Sequence, residues 1–242
     1  MKRILLMVFR NLWFVPWAWC KLCYRASHTD KYTEEEQYSF IRWVDLHANK
    51  GGNVKIDVHG SENIPAENGF MFFPNHQGLY DVLAMIEACP RPFSVVAKKE
   101  VGNIPFLKQV FSCLKAFLLD REDVRQAMKV IIDVSKEVEK GRNYLIFPEG
   151  TRNKERQWQL AEFKNGAALI ALRNDAPILP VCIVEKPRLF HRTKVVIGEA
   201  ICLADWMDDT LSRSENIRRI STRLRDTILN LRATANDRER PS

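Results

Sequence analysis

The sequence predicts an α/β fold in which a mostly parallel central sheet is flanked by helices, with an apolar helical segment at the N-terminus. Short apolar runs typical of strands alternate with longer segments whose apolar residues recur about every three to four positions, as in helices. Several of these runs are continuously apolar, which is typical of strands covered on both faces. The content of 46% hydrophobic and 28% charged residues is that of a folded globular chain.

The predicted elements follow one another in the order expected for such a fold. The predicted strands are residues 54–60, 70–73, 93–97, 116–120, 144–147, 177–184 and 194–198. Helices are predicted over residues 31–50, 79–88, 160–173 and 211–232. One further helix lies between the fourth and fifth strands, capped by Asp120 and ending at Gly141. Its apolar side would carry Val124, Met128, Ile131 and Val138.

These elements group into three regions. Residues 1–50 form a helical region for membrane association, residues 51–210 form the α/β domain, and residues 211–242 form a basic amphipathic helix with a frayed tail. The sequence contains no internal repeat and no low-complexity linker, so the α/β domain is expected to be continuous.

The N-terminal stretch ILLMVFRNLWFVPWAWCKLCY, residues 4–24, is apolar and rich in tryptophan. Arg10, Asn11 and Pro16 interrupt it, so its apolar run falls short of the about 18 residues that a membrane span requires. No small-residue cleavage site follows it, as it would after a signal peptide. Tryptophans between basic flanks are typical of a helix at a membrane interface. A core helix of the domain is the alternative.

The formal net charge of +7 favours an anionic partner, such as a membrane face, a phosphate-bearing metabolite or nucleic acid, although it could also serve solubility alone. Nucleic acid is disfavoured as a partner, because the arginines of the C-terminal helix are spread around its polar side, which is typical of a face exposed to solvent. Cys20 and Cys23 form a C-x-x-C pair with no second pair and no histidine at zinc spacing, so we predict no metal site. The cysteines are predicted to be reduced.

The stretch NHQGLYD, residues 75–81, follows a predicted buried strand and contains the first candidate catalytic pair. His76 lies at the mouth of a helix and Asp81 near its first turn, so the carboxylate can reach an imidazole nitrogen. Such a carboxylate fixes the tautomer of the ring and favours the imidazolium that forms when the other nitrogen takes a proton. On these residues alone, an ordinary loop histidine remains the alternative.

The stretch LIFPEGTR, residues 145–152, also follows a buried strand and forms a candidate anion site. Gly150 permits close approach of the backbone, Thr151 adds a hydroxyl donor and Arg152 offers a forked cation, which together suit a phosphate monoester. Glu149 is unusual beside an anion, and it would hold a cation in place or bind a substrate hydroxyl. A tight turn after the strand is the alternative.

Taken together, NHQGLYD and FPEGTR resemble the motifs of the 1-acyl-glycerol-3-phosphate acyltransferases, the lysophosphatidic acid acyltransferase family. Other stretches that look like family motifs are VHGSENIP at 58–65, AKKEVGNIPF at 97–106, FLLDR at 117–121, EFKNGAA at 162–168 and ILPVCI at 178–183. The resemblance covers about residues 54–200. The family usually has Ser at the position of Gly78 and Gly at the positions of Lys108 and Lys115.

The resemblance implies transfer of an acyl group from acyl-CoA or acyl carrier protein to the free hydroxyl of 1-acyl-glycerol-3-phosphate, giving phosphatidic acid. His76 would be the general base and Asp81 would orient it, with no resident cofactor and no metal. The substrate phosphate would be bound by Glu149, Gly150, Thr151 and Arg152, with Lys98 and Arg121 as further candidates.

The implied partners are membrane lipids, lysophosphatidic acid and the acyl donor, and the implied location is the cytoplasmic face of a membrane, with peripheral or monotopic attachment. Two alternatives remain open. One is an acyltransferase for another acceptor, such as glycerol-3-phosphate or another lysolipid. The other is a non-catalytic module that binds anionic membranes.

Overall fold

The computed structural model describes residues 9–78, 80–120, 122–150, 160–161, 163–184 and 192–237. Within these residues, seven strands form one sheet in the order β1-β7-β6-β2-β5-β3-β4. The strands are β1 Lys55–His59, β2 Met71–Pro74, β3 Ser94–Lys98, β4 Phe117–Leu119, β5 Tyr144–Ile146, β6 Ile178–Ile183 and β7 Arg192–Ile197. All neighbouring strands are parallel except β6 and β7, which are antiparallel. The predicted α/β fold with a mostly parallel sheet is confirmed.

Helices cover both faces of the sheet. They are α1 Phe14–Ser27, α2 Glu34–Gly51, α3 Tyr80–Ala88, α4 Leu107–Cys113, α5 Val124–Glu139, α6 Asn165–Asn174 and α7 Arg213–Asp237. Phe72 of β2 faces a core that α1 to α4 contribute to, whereas Met71 and Phe73 face a second core with α5, α6 and α7. Because successive side chains of a strand point to opposite faces, β2 must be apolar at every position. This is why the run FMFF shows no alternation.

Helix α5 differs from its prediction in both its cap and its buried face. Asp123, not Asp120, caps it, because the Asp123 side chain accepts hydrogen bonds from the backbone N–H groups of Arg125 and Gln126 at 2.9 and 3.0 Å. Asp120 instead accepts from the N–H of Glu122 and pairs with a lysine. The buried stripe is Val130, Val134 and Val138, whereas Val124 and Met128 are exposed. The buried face thus differs from the prediction only in its first half, because Val138 is buried and Ile131 packs against the core, as predicted.

Two other boundaries depend on contacts from distant parts of the chain. Helix α6 begins at Asn165 rather than at residue 160, because the N–H groups of Ala161 and Lys164 donate to Glu149 and Pro148 instead of to helical carbonyls. The short helix α4 was not predicted at all. Cys89, Cys113 and Cys182 are buried and Cys202 is partly exposed, and all four are free thiols.

The N-terminal region folds as an antiparallel pair of helices, α1 and α2. One face of α1 contributes Ala18 and Leu22 to the core, whereas Trp13 on the opposite side is 96% exposed and Trp17 is 46% exposed. Exposed aromatic side chains and core contacts thus lie on different sides of this part of the chain, and the predicted interfacial role stays a prediction. Among the described residues, none of the helices combines the length and the apolarity that a bilayer crossing requires.

Helix α2 extends along the whole height of the sheet. Near its start, Glu34 pairs at 2.8 Å with Arg142, which lies two residues before the first residue of β5. Near its end, Asn49 accepts a hydrogen bond from the hydroxyl of Tyr80, the first residue of α3. The helix therefore begins at the amino edge of β5 and ends at the carboxyl edge of β2, where α3 starts.

Candidate active site

The predicted site residues lie on loops at one edge of the sheet. Strands β2, β5, β3 and β4 are adjacent and parallel, so their carboxyl ends meet at the same edge. His76 follows β2, Glu149 and Gly150 follow β5, and Lys98 is the last residue of β3. Because β2 pairs directly with β5, the two stretches that carry the motifs are neighbours in space although they are far apart in sequence.

His76 and Asp81 form a close pair, with 2.9 Å between Nδ1 of the ring and Oδ2 of the carboxylate. The same oxygen accepts the backbone N–H groups of Gln77 at 2.6 Å and Gly78 at 2.8 Å. The Asp81 side chain is 1% exposed and that of His76 is 16% exposed. The two backbone N–H groups thus hold the Asp81 carboxylate in place, and the carboxylate accepts the proton on Nδ1 of His76 as a hydrogen bond. The lone pair of the neutral imidazole is then on Nε2.

Two further contacts fix the loop that carries His76, and neither was predicted. The ring of Phe147 lies against the imidazole, with 4.0 Å between the ring centroids. The buried Asn75 side chain donates to the carbonyl of Ile183 at 3.1 Å and accepts from its N–H at 2.7 Å. Asn75 thereby continues the pairing of β2 with β6 past Pro74. An asparagine directly after a buried strand is the only local signal that this contact leaves in the sequence.

Glu149, one of the predicted phosphate ligands, is a buried residue whose side chain accepts two backbone hydrogen bonds. Its side chain is 2% exposed, and both carboxylate oxygens are occupied. One accepts the backbone N–H of His76 at 2.8 Å, and the other accepts the N–H of Ala161 at 2.9 Å. Burial raises the pKa of Glu149, and the two backbone donors oppose that effect. Glu149 therefore links the loop of His76 to the chain at Ala161, and its contact with a phosphate stays a prediction.

The backbone conformation after β5 favours glycine at position 150. Its φ of +67° lies in the left-handed region, and a Cβ atom there would come within 3.1 Å of the Lys164 side chain. Its N–H donates to the carbonyl of Phe147 at 3.0 Å, which closes a tight turn. Both the predicted turn and close access to the backbone are compatible with this geometry, and the contact of Gly150 with a phosphate stays a prediction.

Lys98 lies farther from the imidazole than the β5 loop does. Strand β5 separates β3 from β2, so Lys98 is two strands, or about 10 Å, away across the sheet. Its ammonium group is half-exposed and pairs with Glu100 at 2.6 Å. The other predicted phosphate ligands, Thr151, Arg152 and Arg121, lie outside the described residues.

Comparison with known proteins agrees with the motifs. The Acyltransferase family model matches residues 55–184. A 1-acyl-sn-glycerol-3-phosphate acyltransferase of Borreliella burgdorferi is 34% identical over 137 residues, covering 57% of this chain and 54% of the relative. The enzyme of the same name from Bacillus subtilis is 32% identical over 162 residues, covering 64% of this chain and 77% of the relative. The chain spans only about half the length of most of the curated relatives that it matches.

A solved structure shows the same fold. The crystal structure of the 1-acyl-sn-glycerophosphate (LPA) acyltransferase PlsC from Thermotoga maritima superimposes with a TM-score of 0.73 at 20% sequence identity, covering 100% of this chain and 98% of the other. The family model spans more than half of the sequence and includes both the His76 loop and the β5 loop. The resemblance that the motifs predicted is therefore confirmed, and the chain belongs to the Acyltransferase family.

Proposed function

We propose that this protein transfers an acyl group from the thioester of acyl-CoA or acyl carrier protein to the free hydroxyl of 1-acyl-glycerol-3-phosphate, giving phosphatidic acid. The observation that carries the proposal is the His76–Asp81 pair at the carboxyl edge of the sheet, in a chain whose relatives are named for this acceptor. The pair has the geometry of a general base with its orienting carboxylate.

The proposed reaction is a direct transfer. Nε2 of His76 takes the proton of the acceptor hydroxyl while the hydroxyl oxygen attacks the carbonyl carbon of the thioester. The carbon–sulfur bond then breaks, and the imidazolium returns the proton to the departing thiolate. Asp81 lowers the free energy of the imidazolium at the intermediate stage, and its two backbone hydrogen bonds keep the carboxylate in place meanwhile.

The phosphate of the acceptor is proposed to bind at the β5 loop. Gly150, Thr151 and Arg152 are the ligands that the family resemblance implies, with Lys98 and Arg121 as further cations. Support comes from the pairing of β2 with β5, which brings Gly150 to the same edge as His76. Glu149 is left out of this set because both of its oxygens accept backbone N–H groups.

The same edge of the molecule carries the exposed Trp13, which directly precedes α1. Phe14, at the start of α1, stacks on His47 of α2 at a centroid distance of 4.8 Å, and α2 ends beside Tyr80, next to Asp81. The exposed Trp13 is therefore at the carboxyl edge, as His76 is. We propose that this surface rests on the cytoplasmic face of a membrane, so that a lipid acceptor reaches His76 while its chain stays in the bilayer.

A second group of exposed apolar side chains lies at the carboxyl edge of the sheet. Ile104 and Phe106, in the turn before α4, are exposed. The far end of α4 lies at the amino edge, because the Lys115 carbonyl accepts from the hydroxyl of Ser94, the first residue of β3. The turn at the start of α4 is thus at the carboxyl edge, where it adds to the proposed lipid-facing surface.

Replacing both exposed tryptophans, Trp13→Ser and Trp17→Ser, is expected to weaken binding to phosphatidylglycerol vesicles by about tenfold or more, because their rings would no longer enter the interface. Vesicle co-sedimentation measures the effect. The substitutions are preferable to deletion of residues 1–24, which would also remove Ala18 and Leu22 from the core. The control is Met207→Ser. Met207 is an exposed apolar residue that follows Ile201 in the chain, and Ile201 pairs with Ile178 at the amino end of β6, the edge opposite to Trp13. Equal vesicle binding by the double variant and the control would exclude α1 as the membrane contact.

The activity itself is tested by release of free thiol from palmitoyl-CoA in the presence of lysophosphatidic acid. We expect release that depends on the acceptor, with phosphatidic acid as the product. Parallel reactions with glycerol-3-phosphate as acceptor and with acyl carrier protein as donor distinguish the related acyltransferases. Vesicle binding with no thiol release from any donor and acceptor would instead support the non-catalytic module.

A further inference from the structure

The buried carboxylate of Glu149 joins two segments of the chain that are remote in sequence. One oxygen accepts the N–H of His76, 73 residues earlier, at 2.8 Å. The other accepts the N–H of Ala161, 12 residues later, at 2.9 Å. Both donors are backbone groups, so the contacts fix the course of the main chain rather than the orientation of a side chain.

The surroundings of Glu149 reinforce this junction. The carbonyl of Pro148, the preceding residue, accepts the N–H of Lys164 at 2.7 Å. The next residue, Gly150, contacts the side chain of the same lysine closely enough that a Cβ would be crowded. The chain therefore leaves β5 and returns before α6 against one carboxylate, which also holds the loop of the proposed base.

The His76 N–H is the donor whose position matters most for the chemistry. It belongs to the peptide unit from which the imidazole projects toward Asp81 and against Phe147. If this N–H lost its acceptor, the peptide would rotate to find another, because a buried unpaired N–H is costly. A rotation of that peptide would move the ring away from the carboxylate of Asp81.

We propose that Glu149 is a positioning residue for acyl transfer, which fixes the backbone of His76 and ties to it the chain that returns at Ala161, and that it is not a ligand of the substrate phosphate. The inference rests on the proposed function in one respect, namely that His76 is the base. The occupied oxygens and the 2% exposure of Glu149 carry the rest.

Glu149→Gln tests the inference with little change of shape. The amide oxygen can accept one of the two N–H groups, but the amide NH₂ then faces the other N–H, donor against donor. We expect kcat to fall by about tenfold or more, with the KM for lysophosphatidic acid changed by less than about threefold. Glu149→Asp, which keeps the charge but is one methylene shorter, can reach only one of the donors and is expected to lose kcat as well. Glu62→Gln, on the surface, is the control for the same chemical change.

Hydrogen exchange of the His76 amide provides a readout that does not depend on activity. In the unmodified protein this N–H donates to a buried carboxylate and should exchange slowly, whereas it should exchange faster in Glu149→Gln at a temperature where circular dichroism shows the variant fully folded. A raised KM with unchanged kcat would make Glu149 a substrate ligand and overturn the inference, as would unchanged amide exchange. If His76→Ala kept its activity, the proposed function would fail, and the exchange result would still decide whether Glu149 holds the backbone.

Discussion

His76→Ala is expected to lower kcat for acyl transfer by about 10²–10⁴-fold, the usual contribution of a general base. The substitution removes the imidazole, which is the group of the His76–Asp81 pair that can take the proton of the acceptor hydroxyl. Release of thiol from palmitoyl-CoA with lysophosphatidic acid measures the loss.

The fold of this variant should survive, for a reason visible in the geometry. The imidazole is 16% exposed and lies at the rim, whereas Asp81 keeps its two backbone donors after the ring has gone. The far-ultraviolet circular dichroism spectrum should therefore match that of the unmodified protein. His59→Ala, at an exposed position at the end of β1, is the matched control and should keep full activity. Transfer at the normal rate by a purified, folded His76→Ala protein would rule out the proposed mechanism.

Asp81→Asn is expected to reduce kcat at least about a hundredfold, although the base itself remains. An amide has no charge with which to stabilise the imidazolium. It must also present either its NH₂ or its oxygen to the ring, and the NH₂ would hold the ring in the tautomer that carries its proton on Nε2. That tautomer cannot accept a proton from the acceptor hydroxyl.

The same substitution should also lower stability, by about 1–3 kcal/mol, because Asp81 is buried and charge-assisted hydrogen bonds to backbone N–H groups are lost or weakened. Urea unfolding measures this effect, and Asp209→Asn, at an exposed position, provides the control. Both effects follow from a single carboxylate that orients the ring and anchors the loop before α3.

A double variant separates these two roles of Asp81. If the carboxylate acts on catalysis through the imidazole, then adding Asp81→Asn to His76→Ala should cause little further loss of kcat, although the stability loss should remain. Independent, multiplying losses of kcat in the double variant would show that Asp81 acts on the substrate directly. That result would require a different assignment of the pair.

Much of this site could be predicted from the sequence because its main contact is local. His76 and Asp81 are five residues apart across the start of a helix, so a strand, a loop and one helical turn suffice to bring them together. The strands were also predictable, since β2, β5 and β6 are covered on both faces and are therefore apolar throughout. Family motifs then supplied the chemical interpretation, which the match over residues 55–184 supports.

Other features of the site could not be predicted, because their partners are remote in sequence. Glu149 was expected near a phosphate, since a carboxylate beside an arginine gives no sign that two backbone N–H groups will occupy it. No role was predicted for Asn75, because its hydrogen-bond partner, Ile183, is 108 residues away in the sequence. The cap of α5 was placed on Asp120 rather than Asp123 because either aspartate suits an N-cap, and the choice depends on which face of the helix packs on the sheet.

The sequence by itself determined the α/β class and put His76 within reach of Asp81, because both depend on neighbours within a turn or a strand. Only the tertiary structure decided that β2 lies between β5 and β6, and hence that Glu149, Asn75 and Phe147 all meet the loop of His76. The physical reason is that strand order is chosen by the packing of the whole sheet, where many similar apolar strands could pair, and no local pattern records which of them do.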